Sequence, residues 1–113
     1  MRAFSIEYSS EAMNDLRAIY RYIAFELLAP QAAKGQTDRI QDAIDGLDQF
    51  PEEHQLVPWE AWYSMGLRQM PVNHYIVYYL TEPESEKVFI VRILYGGRDV
   101  KKALMDSIQN YNE

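Results

Sequence analysis

Residues 87–95 read KVFIVRILY, and both alternating sets of side chains in that segment are largely apolar. In an extended strand, successive side chains point to opposite faces of the sheet. Phe89, Val91, Ile93 and Tyr95 then form one uninterrupted apolar face, suited to packing against helices. Val88, Ile90, Arg92 and Leu94 form the other, apolar except for one cation. Neither face can be left in water, so whatever this chain folds into must cover the strand twice. The cover for the second face is the C-terminal helix, a partner, or each in turn.

The rest of the chain supplies the layers. Phe4, Ile6 and Tyr8 alternate with Ser5 and Glu7, as in a half-buried strand. Ser9 follows as an N-cap, with Glu11 in the first turn, where the helix dipole favours an acid. Met13, Leu16, Tyr20, Ile23 and Leu27 recur at spacings of three and four, which makes one apolar stripe on a helix of about five turns. Pro30 breaks that helix and suits the first turn of another. The second stripe is Ala33, Ile40, Ile44, Leu47 and Phe50, closed by Pro51. A connection this short predicts an antiparallel helical hairpin. Residues 51–62, PEEHQLVPWEAW, hold two prolines and no clear period, so they read as a loop. Strands are predicted at 63–70, 75–80 and 87–95, separated by turns short enough for antiparallel hairpins. Asp99 is placed to cap a last helix with the stripe Val100, Leu104, Ile108 and Tyr111. The order is strand, two helices, three strands, helix. It predicts an α+β fold in two layers, a helical hairpin on one face of a mainly antiparallel four-stranded sheet, plus the C-terminal helix.

Composition narrows what such a domain does. At 113 residues the chain is expected to form a single domain, 1–113. It has no cysteine, which excludes disulfides and thiolate metal sites. His54 and His74 are the only histidines, too few for a metal centre, so no metal and no cofactor is expected. The N-terminus lacks the apolar core of a signal peptide and no segment is long enough to span a bilayer, so a cytoplasmic location without a membrane partner is expected. The net charge of -6 argues against broad electrostatic attraction to nucleic acid. Asp38, Asp42, Asp45 and Asp48 at helical spacing, and Glu82, Glu84 and Glu86 in one short segment, read as solvated faces. Arg92, Arg98, Lys101 and Lys102 leave one locally basic region near the C-terminus.

Four segments together carry a resemblance. YSSEAMNDLRAIYRYIA, IQDAIDGLDQFP, GLRQMPVNHYIVYYL and VFIVRILYGGRDV occur in the order and spacing of the RelE/ParE toxins of type II toxin–antitoxin systems. The resemblance runs from about Phe4 to Val100. It implies a compact β-α-α-β-β-β core, often with a further helix, and a cognate antitoxin whose extended tail wraps the toxin in a joint oligomer. RelE-like members cut messenger RNA on the ribosome, which requires an activated 2′-hydroxyl, a protonated leaving oxygen and cations around the phosphate. Arg98 matches one such catalytic arginine, and Arg68 is a further candidate if the chain is RelE-like. The pattern then departs. Leu104 stands where a RelE-like tyrosine is expected, Ile76 replaces a strand arginine, and HQLVPWEAWYSMG, residues 54–66, has no lysine. ParE-like members inhibit DNA gyrase and are not known to need a hydrolytic site. The resemblance therefore favours the ParE-like branch, a plasmid-stabilisation toxin that inhibits gyrase and, by that account, is not expected to be an enzyme. A ribosome-dependent ribonuclease is the alternative, and a degenerate toxin acting only as a binding module is the third.

Single residues sharpen the expectation. Arg68, Ile90, Arg92, Leu94 and Arg98 are the candidates for contact with the target or the antitoxin. Arg92, flanked by apolar neighbours, demands a carboxylate or a carbonyl, because an unpaired buried charge is costly. Arg68 is out of phase with Leu67 and should leave the core. The antitoxin is expected on the face bearing Ile90, Arg92 and Leu94, or along the helical hairpin. Trp59, Trp62 and Tyr63 read either as an aromatic patch for a partner or as packing of the loop onto the domain.

Overall fold

The computed structural model describes residues 3–97 and 99–110. Strand β1 (Ser5–Tyr8) lies parallel to the first half of β4 (Lys87–Tyr95), with Ser5 opposite Lys87 and Tyr8 opposite Ile90. Strand β3 (Tyr75–Glu82) is antiparallel to β4 on one side and to β2 (Arg68–Val72) on the other. The order across the sheet is β1-β4-β3-β2. One parallel pair in an otherwise antiparallel sheet follows from the helical crossover between β1 and the hairpin strands.

Helix α1 (Ser10–Arg21) starts at Ser9, whose Oγ accepts the Ala12 N–H at 2.9 Å and donates to the Val91 carbonyl at 2.7 Å. The helix runs on into a π-helical turn, Tyr22–Glu26, before Leu28 turns the chain with φ 55°. Pro30 opens helix α2 (Pro30–Asp45), which tightens into a 3₁₀ turn, Gly46–Asp48. Ala12, Ile19, Ile40, Ile44 and Leu47 pack with Val77, Tyr79, Val88, Ile90 and Ile93 into the main core.

The α1 stripe differs from the predicted one. Leu16 and Ile23 do pack inward, but Met13, Tyr20 and Leu27 are exposed, and Ala12, Ile19 and Ala24 take the buried places. Two contacts set this rotation: Ser9 Oγ on the Val91 carbonyl and Asp15 on the Ile93 N–H both hold the Asp15 flank of the helix against β4. The π turn then adds a residue to the last turn, out of step with the stripe's spacing. Phe50 also misses the core at 66% exposure. Its left-handed backbone, φ 51°, reverses the chain so that Pro51 is buried in its place.

The second face of the sheet is covered from within. The strand predicted at 63–70 forms only at its end: a helical turn, α3 (Trp62–Met65), is closed by Gly66 at φ 85°, and β2 begins at Arg68 and runs on to Val72. Trp62 is the cause. It is fully buried with Val57, Leu67, Tyr78, Val91, Val100 and Leu104, and its Nε1 donates to the Leu104 carbonyl at 2.7 Å. Helix α4 (Val100–Ser107) thus closes over the strand face that the sequence left open. Asp99 holds the N-cap position in a left-handed conformation, φ 68°, without a side-chain capping bond to the helix. Its carbonyl receives the Ala103 N–H at 3.0 Å. Tyr111 lies outside the described residues.

The faces of β4 are exchanged along half its length. Tyr79 opposes Ile90 and Tyr78 opposes Arg92, so Val91 is the extra residue of a β-bulge. Before the bulge Val88 and Ile90 face the helical hairpin and Phe89 faces α4 with Val91. After it Ile93 returns to the hairpin side, with Arg92 and Leu94 towards α4. The predicted alternation is correct for Ile93, Arg92 and Leu94 and inverted for Val88, Phe89, Ile90 and Val91.

Candidate functional site

Arg92 is the hub of a polar cluster where α1, β4 and α4 meet. Its Nε and Nη2 donate to the two oxygens of Asp15 at 2.8 and 2.9 Å, a two-pronged carboxylate pair. Nη1 donates to Ser107 Oγ at 2.9 Å and stands 3.6 Å from Glu11 Oε2. Asp15 also takes the Ile93 N–H at 2.9 Å, and Ser107 Oγ lies 3.3 Å from Glu11. The side chains of Arg92 and Asp15 are only 17% and 14% exposed. The expected demand for a carboxylate is met inside the fold, and the guanidinium joins three elements of it.

Arg68 is tied down in another place. Its Nη1 donates to the His54 carbonyl at 2.7 Å, and it sits across from Tyr79 on β3. Its Nε is buried with no hydrogen-bond partner among the described residues. Tyr79 in turn donates to the Pro51 carbonyl at 2.6 Å, with the His54 ring edge-on at 6.3 Å. These bonds pin the 51–57 loop to the edge of the sheet, where Leu56 bridges to Arg68.

The predicted site residues do not converge. Arg68, Tyr79 and Ile90 share a cross-strand row on the hairpin side of the sheet, whereas Tyr78 and Arg92 share the row on the α4 side. Ile90 is wholly buried in the main core, so the expectation that it forms an open face with Arg92 and Leu94 is corrected. Leu94 is half-buried against the second core. Arg98 lies outside the described residues. Trp62 packs the loop onto the domain, Trp59 receives Lys101 at 5.8 Å from its ring centre, and Tyr63 stays exposed.

Proton chemistry finds little to work with here. Burial pushes the Tyr78 hydroxyl up to about 12. Burial also raises Tyr79, partly offset by the Arg68 guanidinium. Tyr75 is raised by burial and by its neighbours Tyr95 and Tyr22. All three are neutral donors at physiological pH rather than bases. Among the described residues no group of three His, Asp or Glu side chains is arranged to hold a metal ion. No described helix is long and apolar enough to cross a membrane.

Along the helical hairpin, where the sequence reading allowed a binding surface without naming its residues, lies a groove of about 720 Å³ beside α1, lined by Asp15, Ala18, Tyr22, Leu27, Tyr75 and Tyr95, together with Ile93 and Leu94. Next to it the tip of the hairpin exposes Phe25 and Leu28 at 67% and 82%. The signal for this surface lies in residues 20–29, YRYIAFELLA, which carry more apolar side chains than one stripe can bury.

Comparison with known proteins agrees with this architecture. A family model described as the ParE toxin of the type II toxin–antitoxin system parDE matches residues 6–100. The chromosomal ParDE system of P. aeruginosa is similar in structure, with a TM-score of 0.67 at 21% identity over 82% of this chain and 96% of that one. The RelBE2 toxin–antitoxin complex of Mycobacterium tuberculosis gives a TM-score of 0.61 at 17% identity, covering 84% and 93%. E. coli toxin RelE, as a double arginine-to-alanine mutant in the free state, gives 0.64 at 10% identity, covering 98% and 99%. No curated protein gave a significant match.

Proposed function

We propose, for a chain that belongs to the ParE toxin family of type II toxin–antitoxin systems, that it inhibits DNA gyrase and is held silent by a cognate antitoxin. Similar folds occur both in ParDE and in RelBE systems, so the choice of target rests on the site and not on the fold. The observation that carries the reading is the internal use of two arginines. A site that cleaves a phosphodiester needs cations gathered on one phosphate, with an acid and a base beside them. Arg92 is taken up by Asp15 and Arg68 by the His54 carbonyl, on opposite faces of the sheet. The neighbouring tyrosines are held protonated by burial. What the surface does offer is an apolar groove and an apolar hairpin tip, and these suit binding to protein. The antitoxin partner is supported by the family match and by toxin–antitoxin complexes of the same fold. Action in the cytoplasm, in an oligomer with the antitoxin until released, follows from the same reading.

A supercoiling assay with purified gyrase tests it. Inhibition is expected at micromolar toxin and should vanish on addition of the antitoxin. Normal supercoiling, together with cleavage of translated messenger RNA that is lost in Arg98→Ala, would transfer the chain to the ribonuclease branch.

A further inference from the structure

A second helical stripe runs along the end of α1, and it faces water. Ala18, Arg21, Tyr22, Phe25 and Glu26 recur at the spacing of a single helix face, and all five are exposed. Ile19 and Ala24, on the inward side of the same segment, are buried. Leu27 and Leu28 carry the exposed apolar surface around the hairpin tip. Tyr22, Phe25, Leu27 and Leu28 keep 55%, 67%, 55% and 82% of their surface in water. Four large side chains at those fractions present on the order of 500 Å² per copy. With the flanks of Ala18, Arg21 and Glu26, the patch approaches the roughly 800 Å² a side of a standard interface.

The charges identify the occupant. Arg21 and Glu26 flank the Tyr22–Phe25 pair, and neither has an ion-pair partner among the described residues. A patch with one cation and one anion at equal distances from its centre is complementary to itself under a two-fold rotation. Two copies set antiparallel so that Arg21 meets the partner's Glu26 also bring Phe25 against the partner's Tyr22. Leu28 then comes level with the partner's Ile19, in the wall of the 720 Å³ groove. By symmetry every such pair occurs twice. Ala18, small and exposed, lets the second helix approach closely. Repulsion between two copies of net charge -6 is also least at this end, since Glu26 is the only carboxylate in residues 16–36.

We propose that the free chain forms a two-fold dimer through this face of α1 and the hairpin tip, with Phe25 and Leu28 of each copy packed on the other and two Arg21–Glu26 pairs at the rim. The inference does not depend on which target the chain acts on. Its consequence is that the dimer covers the groove, so a protein that docks at this end binds the monomer.

Sedimentation equilibrium of the purified chain alone, from about 1 to about 200 µM, covers the range expected of an interface this size. The mass is expected to rise with concentration from the 13.3 kDa monomer to twice that value. Phe25→Ser with Leu28→Ser should hold the chain monomeric at the highest concentration while its melting temperature stays unchanged. Arg21→Glu and Glu26→Arg should each weaken the dimer by about tenfold or more, because each sets like charges together at both pairs. Mixing the two single variants should restore association as a heterodimer, since each supplies the charge that the other lacks. A monomer at every concentration overturns the inference. So does a dimer that survives Phe25→Ser with Leu28→Ser, which would lie on another face. Single reversals without effect, or a mixture that stays monomeric, overturn the pairing of Arg21 with Glu26 across the two-fold axis.

Discussion

Arg92 shows how one charged residue can sit in a strand that is otherwise apolar on both sides. Its cost is met by a two-pronged bond to Asp15, whose carboxylate is itself completed by the Ile93 N–H. Breaking such a pair from one side is worse than never having it, because the remaining charge stays in place without its partner. Arg92→Met or Asp15→Leu alone is expected to cost about 3 kcal/mol, read as a fall in the urea midpoint. The double variant should recover most of that loss, and strictly additive losses would show that the two charges are not coupled. A second residue-scale effect concerns pH. Tyr78 titrates near 12 in the fold against an ordinary value of 10.0, so above pH 10 the unfolded chain releases this proton first. Its contribution is complete below pH 10 and is lost as pH rises through 12, amounting to about 3 kcal/mol. Tyr79, raised in the same direction, adds to the loss. Tyr78→Phe should flatten the alkaline fall in stability measured by denaturation between pH 9 and pH 12. An unchanged slope would mean that the hydroxyl is hydrated in the fold.

At the scale of elements, the decisive local event is the Val91 bulge. It turns Arg92 towards α4, returns Ile93 to the main core, and gives Ser9 and Asp15 their backbone partners. KVFIVRILY could reveal the strand and its need for two covers, but not its phase. With apolar residues at both parities, shifting the register by one residue costs no hydrophobic pattern, so nothing in the segment marks the slip. The carboxylate for Arg92 was legible as a requirement and not as Asp15, since residues separated by most of the chain meet only through the fold. Trp62 was legible as possible loop packing, but its partner was hidden for a related reason. Its place depends on Leu104 of a distant helix, and that contact overrides the strand pattern after it. Because Trp62 Nε1 donates to the Leu104 carbonyl, Trp62→Phe should retain the packing and lose one buried hydrogen bond, about 1–2 kcal/mol. The loss should appear first as faster amide exchange in α4. Uniform acceleration over the whole chain would show instead that α4 opens only with global unfolding.

For the molecule as a whole, the distribution of polarity matters more than the net charge. The -6 balance is carried largely by residues 46–61, where Asp48, Glu52, Glu53 and Glu60 have no cation among them, and by Glu84 and Glu86 of the β3–β4 turn, while the hairpin tip is apolar. An exposed cluster of this kind contributes little to folding, since Phe25 and Leu28 keep most of their surface in water after folding. It is retained either for a partner or for no reason at all, and the two are separable. Phe25→Ser together with Leu28→Ser should leave stability within about 0.5 kcal/mol, because neither side chain packs in either core. The same variant should bind its protein partners about tenfold more weakly, as expected when apolar anchors are removed from an interface. The measurement is affinity for gyrase and for the antitoxin in parallel. Loss towards gyrase alone would separate the tip from the antitoxin's binding surface, and loss towards both would mean that the antitoxin silences the toxin by covering the surface that meets its target. Unchanged affinity for both would leave the patch without a foreign partner, and the gyrase reading without the surface that most supports it.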